Sequence, residues 1–356
     1  MSTSWRESRT APPALPSFRR AAVTNLVLAL AVWTAWLTLG GGEALDALAE
    51  HWGVALTMVA GSLVGGGTSE GGGAVGFPVL TKVLGVAPEQ ARLFTFAIQS
   101  VGMTGASLSL LAQRVPLEWR TLRWGAPSAM VGVTVSVLVL APLVPPAIVR
   151  IGFTVLLAGM GLALLVHRLR GSEERNDRIP VWGRTERWVV VAAGVVGGAL
   201  SGAAGVGENT VMFVVLVLLM RVCEKVATPT TVVLLTVTSV TAFLLHLLVV
   251  GDFRGPVVGQ WLAATPVVIA GAPLGAWLCT RMSRGTIRGV LWALIAAELV
   301  STWFIVPMTP VTRVVFVGLL GATTVGCLWL TGRRRYAPRP ARVRPRTLTG
   351  AGHRGG

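Results

Sequence analysis

Long apolar segments with few charges alternate with short polar stretches along most of the chain. A helix needs about 20 apolar residues to cross a hydrocarbon core about 30 Å thick, and the first such segment, 21–39, follows a polar, basic N-terminus. The others are 52–81, 91–113, 122–143, 146–167, 188–220, 228–250, 256–280, 286–306 and 311–330. The pattern predicts an all-α polytopic membrane protein. A cleaved signal peptide is the alternative for 21–39, but the segment exceeds the usual apolar region and lacks a clear cleavage site.

Two segments, 52–81 and 188–220, are too long for one ordinary span and contain glycine clusters at 65–73 and 202–207. Clustered glycines each cost about 1 kcal/mol of helix propensity. We therefore expect two half-helices around a break in each segment. Backbone groups freed at a break must be satisfied by protein or by a wet cavity, so the breaks should face the interior.

The chain contains an internal repeat on either side of a polar stretch. At an offset of 136, six positions of the first half match six of the second. After a slip of three residues, Pro127 and Gly132 align with Pro266 and Gly271. Related halves of this kind build transporter sites at the bilayer midplane. The first six pairs are Gly61/Gly197, Gly66/Gly202, Gly71/Gly207, Leu80/Leu216, Ala91/Ala227 and Thr95/Thr231.

The distribution of Lys and Arg favours glycine-broken segments that re-enter rather than cross. Basic residues near span ends lie predominantly on the cytoplasmic side. With a cytoplasmic N-terminus, crossing places 20 of the 31 basic residues inside and 11 outside, whereas re-entry places 26 inside and five outside. The expected fold is about eight full transmembrane helices plus two re-entrant helical hairpins in an inverted repeat, in the cell (cytoplasmic) membrane, with both termini cytoplasmic.

This topology divides the chain into seven predicted parts. They are a cytoplasmic N-terminal tail (1–20), a first transmembrane helix and outer loop (21–51), repeat 1 (52–167), a cytoplasmic linker (168–187), repeat 2 (188–306), a last transmembrane helix (307–332) and a basic cytoplasmic tail (333–356).

Composition agrees with a membrane protein and excludes several classes. With 53% apolar and 13% charged residues, the chain is too apolar for a soluble domain of 356 residues. The net charge of +16 is concentrated in short arginine clusters, eight of them after Leu330, so nucleic-acid binding is not expected. Three cysteines without a CxxC pair and four scattered histidines indicate no disulfide framework and no metal site. No cofactor is predicted.

The motif Gly71-Gly72-Gly73, followed after four residues by Pro78-Val79-Leu80, resembles the first-half motif of the TauE/SafE (TSUP) family of sulfite and organosulfonate exporter-like transporters. The resemblance covers about 61–132 and 197–271, and the turn at 114–119 is similar too. In the second copy Glu208-Asn209 stand where a glycine pair is common. The resemblance implies a secondary transporter of a small anion, often sulfur-containing, across the cytoplasmic membrane.

The glycine breaks are the predicted anion-binding sites. A helix that begins at a break presents free N–H groups and the positive end of its dipole, which favour anions. Tight helix packing is the alternative role for these glycines. Polar residues on the breaks and on the following spans could line the same cavity. The predicted substrate-binding residues are Ser69, Gly71, Gly72, Gly73, Thr95, Gln99, Gly207, Asn209, Thr210 and Thr231.

Three acids lie deep in apolar segments, namely Glu70, Glu208 and Glu298. Because a carboxylate in a bilayer is costly, each is a functional candidate. Glu70 and Glu208 adjoin the two breaks and could carry a proton coupled to anion movement; capping of backbone donors is the alternative. Glu298 has no counterpart in the first half.

The sequence therefore predicts a transporter with no enzyme activity, whose partners are a small anion, the lipid bilayer and protons. An anion channel of the same fold is the nearest alternative, and an intramembrane hydrolase using Ser201 and His246 is a distant one. A homo-oligomer is compatible with the sequence. The anion, the direction of transport and the coupling ion stay open.

Overall fold

The computed structural model of the chain describes residues 18–141, 143, 146–169, 175–305, 310–331 and 336. Within these ranges the regular elements are twelve α-helices. Helices α5, α8 and α9 continue into π-helical turns over Ser136–Leu140, Val214–Leu219 and His246–Val250. The α-helices are α1 (Phe18–Glu50), α2 (Trp52–Gly67), α3 (Gly73–Lys82), α4 (Pro88–Ala112), α5 (Trp119–Val135), α6 (Pro146–Leu169), α7 (Arg184–Ala204), α8 (Glu208–Phe213), α9 (Glu224–Leu245), α10 (Pro256–Arg281), α11 (Arg284–Ile305) and α12 (Pro310–Thr331).

Seven stretches of the described chain are long and apolar enough to cross a membrane. Large apolar side chains such as Leu248 and Phe304 lie on the outer surface of these helices, where lipid would cover them. The prediction of an all-α polytopic membrane protein is confirmed. The seven stretches are Arg19–Glu50, Pro88–Ala112, Trp119–Leu140, Arg184–Ala204, Glu224–Val250, Pro256–Arg281 and Gly285–Phe304.

Helix α1 is longer than the apolar segment 21–39 that predicted it, and Gly41 interrupts it with a positive φ of 50°. It lies at the periphery and packs on α10. Trp36 donates its indole N–H to the carbonyl of Leu262 at 2.8 Å. That carbonyl lacks its usual helical donor because Pro266, four residues later, has no N–H. The indole therefore satisfies a backbone group that the proline of α10 leaves free.

Helices α2 and α3 form a hairpin, which we call hairpin 1. The predicted break falls between Gly67 and Gly73, and Gly71 adopts a left-handed φ of 73° there. The two arms then run side by side, since a Cβ at Gly76 would lie 3.1 Å from the sulfur of Met58. At the open end, Leu84 lies against Gly53. Both ends of the segment are therefore on the same side.

Helices α7 and α8 form the corresponding hairpin 2. The break contains Gly205 and Gly207, whose φ values of 83° and 140° are in the region that favours glycine. The segment starts and finishes together, because Asn176 and Val222 form an isolated β-bridge across the open end. The arms differ in length: α7, with 21 residues, is long enough to span a membrane alone. Hence hairpin 2 is not two equal half-helices.

The two hairpins open at opposite ends of the molecule. Helices α4 and α9 run antiparallel, since Gln99 bonds Ser239 while Ser107 bonds Thr236. Hairpin 1 leads directly into the start of α4, and hairpin 2 leads into the start of α9. We call the end where α4 begins and α9 finishes the first end, and the opposite one the second end. Hairpin 1 opens at the first end and hairpin 2 at the second, as an inverted repeat requires.

The repeats exchange packing partners. Hairpin 1 packs its α2 arm on α10 of the second repeat, and hairpin 2 packs its α7 arm on α5 of the first. Close approaches between these helices occur at equivalent glycines. A Cβ at Gly66 would overlap the backbone of Ala272, and a Cβ at Gly202 would lie 3.0 Å from the carbonyl oxygen of Val133. Each hairpin is thus braced by the second full span of the other repeat, α10 for hairpin 1 and α5 for hairpin 2.

Candidate functional site

The tips of the two hairpins meet in the interior. The side-chain amide of Asn209, at the start of α8, donates a hydrogen bond to the backbone carbonyl of Ser69 in hairpin 1. The Thr210 hydroxyl donates to Oε2 of Glu70 at 3.0 Å. All four residues are buried, with at most 3% of their surface exposed. Four predicted site residues are therefore brought together as two pairs, Ser69 with Asn209 and Glu70 with Thr210, and the members of each pair are 140 positions apart in the chain.

Gln99 on α4 presents a free donor to this junction. Its Oε1 accepts a hydrogen bond from Ser239 of α9 at 2.9 Å. Its Nε2 is buried and has no hydrogen-bond partner among the residues that the structure describes. The same nitrogen lies 2.8 Å from where a Cβ of Gly73 would be and 3.4 Å from that of Gly71. The amide N–H groups thus face the glycine break, where a ligand oxygen could accept them.

Thr95 lies one turn before Gln99 and touches both hairpins. Its side chain is 2.8 Å from the Cβ position of Gly73 and 3.5 Å from that of Gly205. Its hydroxyl donates to the carbonyl of Ala91 at 2.7 Å, so only its lone pairs remain for other partners. Its repeat counterpart Thr231 is also buried and donates to Thr228 at 2.9 Å. Within the described chain Thr231 makes no hydrogen bond to either hairpin.

The backbone donors at the two breaks are partly occupied by the protein itself. In hairpin 2 the N–H of Gly207 donates to Asn209 Oδ1 at 3.3 Å, and the N–H of Glu208 donates to Ser201 Oγ at 3.1 Å. In hairpin 1, Gly72 lies at the start of α3 with helical dihedrals. At the same break the N–H of Glu70 donates to Thr68 Oγ1 at 3.2 Å, and the N–H groups of Ala74 and Val75 bond back to backbone carbonyls at 3.3 Å each. Both hairpins therefore use some of their own break donors, whereas the Gln99 amide nitrogen has no partner among the described residues.

The two buried glutamates have different surroundings. Glu70 accepts hydrogen bonds from two hydroxyls, Thr210 at 3.0 Å and Ser69 at 3.3 Å. Glu208 is equally buried, yet neither of its carboxyl oxygens has a hydrogen-bond partner in the described part of the chain. A buried carboxyl group without donors is far more stable neutral than ionised. The two acids are thus suited to different roles.

Glu298 belongs to a separate buried network. Its Oε2 lies 3.6 Å from Nζ of Lys82, the last residue of α3. Its Oε1 accepts hydrogen bonds from Thr302 at 3.0 Å and from Thr154 of α6 at 3.1 Å. The sequence did not connect Glu298 with Lys82, because they are far apart in the chain. The network fastens the open end of hairpin 1 to α6 and α11.

Ser201 and His246, the pair considered for a hydrolase, have other partners. The Ser201 hydroxyl accepts the N–H of Glu208, and His246 Nδ1 lies 2.9 Å from Asp252 Oδ1. The sequence had placed no acid with His246. Among described residues there is no hydrogen bond between Ser201 and His246, so the arrangement that activates a serine nucleophile is not present there.

Arg92 lies near the site, although in the sequence it was only one of the basic residues from which the topology was predicted. Its Nη1 lies 3.4 Å from the carbonyl of Ala203 in hairpin 2, and its Cγ is 3.5 Å from the Cβ position of Gly205. A signal was available in the spacing, since Arg92, Thr95 and Gln99 follow one another at i, i+3 and i+7. Residues at that spacing share one face of a helix.

The family model described as sulfite exporter TauE/SafE matches the chain over residues 53–302. The matched range contains both hairpins and all the predicted site residues. No curated protein and no solved structure matches the chain.

Proposed function

The chain belongs to the sulfite exporter TauE/SafE family, and from this membership we propose that it is a secondary transporter that binds its anion between the hairpin tips and is driven by the proton gradient. The family implies a membrane transporter of the sulfite-exporter type. The proposed substrate is a small anion, sulfur-containing such as sulfite or a sulfonate, or a small organic acid. The observation that carries the proposal is the meeting of two oppositely directed hairpins beside the amide nitrogen of Gln99, which has no partner among the described residues.

The chemistry of the junction suits a small oxyanion. Gln99 offers N–H donors that have no partner among the described residues. Gly71 and Gly73 let other side chains pack close to the backbone at the break, because a Cβ there would lie 2.6 Å from Leu235 and 2.4 Å from Val206. Thr95 lies on the same face of α4, but its hydroxyl already donates to the carbonyl of Ala91, so the donor available to an oxyanion on this face is the Gln99 amide. A buried polar donor without a partner is costly, so a ligand oxygen that accepts it would be bound favourably.

The hydrogen bonds between the tips suit alternating access. Thr210 to Glu70 and Asn209 to Ser69 join hairpin 2 to hairpin 1. Since the hairpins open at opposite ends, separating the tips would free one hairpin to move while the other stays on its bracing helix. Alternating access in inverted-repeat transporters consists of such movement of one unit against the other around a fixed site.

Proton coupling is assigned to Glu208. An ionised carboxylate beside a bound anion would repel it, and no donor in the described chain stabilises that ionised form. Protonation of Glu208 before the anion binds would remove both costs. Glu70, held by two hydroxyls, acts instead in joining the tips.

The test is tracer flux into proteoliposomes with sulfite, sulfate, sulfoacetate and a short carboxylate, each with and without an imposed pH gradient. We expect saturable movement of one of these anions and a response to the gradient. Ohmic single-channel currents without saturable counterflow would support an anion channel of the same fold instead. An absence of flux for every anion would refute the proposal.

A further inference from the structure

A second polar cluster lies between the hairpin tips and the surface at the first end. It consists of Arg92, His246 and Asp252, with Phe96 beside them. Arg92 and Phe96 are one turn apart on α4, His246 begins the π-helical turn after α9, and Asp252 lies in the loop that follows. Nothing in the proposed transport step uses these residues.

The geometry of the cluster is defined by His246. Its ring stacks on Phe96, with centroids 5.7 Å apart, and its Nδ1 contacts both carboxylate oxygens of Asp252 at 2.9 and 3.1 Å. The imidazole is thereby fixed on two sides. Its Nε2 is buried and has no hydrogen-bond partner in the described part of the chain. Arg92 lies one turn before Phe96 on α4, the residue whose ring stacks on this imidazole.

Arg92 also has unused hydrogen-bonding capacity. Its Nη1 makes one long bond of 3.4 Å to Ala203, whereas its buried Nε has no partner within the described ranges. The side chain of Asp252 is 39% exposed and that of His246 4%, so the cluster leads from the surface to the interior. Along α4 it continues directly into Thr95 and Gln99.

We propose that Arg92, beside the imidazole that Asp252 fixes, forms an anion-binding access site that recruits the substrate from the first end and makes the transporter select anions. This inference rests on the proposed function. A guanidinium binds oxyanions through charge-assisted hydrogen bonds, which a neutral amide cannot replace. Phe96, one turn along α4, and Ala203 of hairpin 2 partly bury the Arg92 side chain, and partial burial strengthens the attraction.

The test compares Arg92→Gln and Arg92→Lys with the wild type in proteoliposome flux of whichever probe anion the wild type carries. Losing charge-assisted bonds should raise KM roughly 10- to 100-fold, while the maximal rate changes much less. Arg92→Lys should give an intermediate KM, because lysine keeps the positive charge but lacks the planar guanidinium that donates two parallel hydrogen bonds. Arg254→Gln is the matched control: this arginine is exposed in the same loop as Asp252, and its loss should leave KM unchanged.

Thermal unfolding with and without the probe anion separates binding from folding. We expect the anion to raise the Tm of the wild type and of Arg254→Gln but not that of Arg92→Gln. A saturable wild type together with an unchanged KM in Arg92→Gln would overturn the inference while leaving the proposed function standing. A wild type that moves no anion would refute the proposed function itself. If Arg92→Gln lowers only the maximal rate and keeps the wild-type KM and Tm shift, Arg92 serves to hold hairpin 2 in place. That result would also overturn the access site.

Discussion

Glu70 and Glu208 show how neighbouring residues decide the role of a buried carboxyl group. Both are fully buried, but only Glu70 has hydroxyl donors among the described residues. We expect Glu208→Gln to reduce uptake to the level measured without a pH gradient, while exchange of anion for anion continues, because an amide is permanently neutral. Glu43→Gln, an exposed position on α1, is the control. Gradient-driven uptake that is unchanged in Glu208→Gln would contradict the proton-coupling role.

Substitution of Gln99 alone tests whether the anion binds where the two hairpin tips meet. Gln99→Leu removes the free donor at the hairpin 1 break, and the loss of one such hydrogen bond should raise KM roughly 2- to 10-fold. Ser239→Ala removes only the hydroxyl that Gln99 Oε1 accepts and leaves the free N–H groups in place. The measurement is the concentration dependence of tracer flux for both variants. Equal effects of the two substitutions would show that the amide acts by packing alone.

At the residue scale, the sequence could predict which side chains adjoin the breaks but not how they pair. Glu70 and Asn209 were found because glycine clusters mark the breaks. Their partners, Thr210 and Ser69, come from the opposite hairpin, and no local pattern records a contact 140 positions away. Arg92 was overlooked because a single arginine near a helix start is typical of a topology signal.

At the element scale, hairpin 1 depends on an ion pair at its open end. Lys82 and Glu298 are both buried, and Lys82→Met would leave the carboxylate without its cation. Breaking one partner of a buried pair costs about 3–5 kcal/mol. We therefore expect a clear loss of stability in thermal unfolding of the detergent-purified protein. The double variant Lys82→Met with Glu298→Gln should be more stable than the sum of the single effects predicts. If the stability losses of the two single variants simply add up to that of the double variant, the ion pair does not couple α3 to α11.

The helices themselves were predictable because apolar length and glycine position are local signals. The breaks at 68–72 and 205–207 fall inside the predicted glycine clusters. Two lengths were not predicted. Helix α1 extends past 39 because helical backbone resumes after a kink at Gly41, whose φ of 50° and ψ of −130° are not helical. Helix α7 is a full-length arm whose polar start at Arg184 is capped by Glu186, which accepts the N–H of Gly183 at 2.8 Å.

At the scale of the whole molecule, the repeat predicted the relation between the halves more fully than it predicted the site. Equivalent helices occupy equivalent places, and each hairpin is braced by the second full span of the other half. The residues at the tips are not equivalent: at the offset of 136, Glu70 aligns with Val206 and Glu208 with Gly72. The fold therefore follows the symmetry of the sequence, while the chemistry comes from departures from it.

The arrangement of the hairpins predicts which loops share a side of the membrane. Val83, 72% exposed, lies at the open end of hairpin 1, and the exposed Arg254 follows the end of α9, so both are at the first end. The exposed Arg178 precedes hairpin 2 at the second end.

The native thiols Cys223, Cys279 and Cys327 are buried. Single cysteines at the three exposed positions, labelled in intact cells with an impermeant maleimide, should react at 83 and 254 but not at 178, because the arginine distribution places the first end outside. Reaction at 83 and 178 from the same side would mean that the hairpins open together, and an inverted repeat could not then alternate access between the two sides.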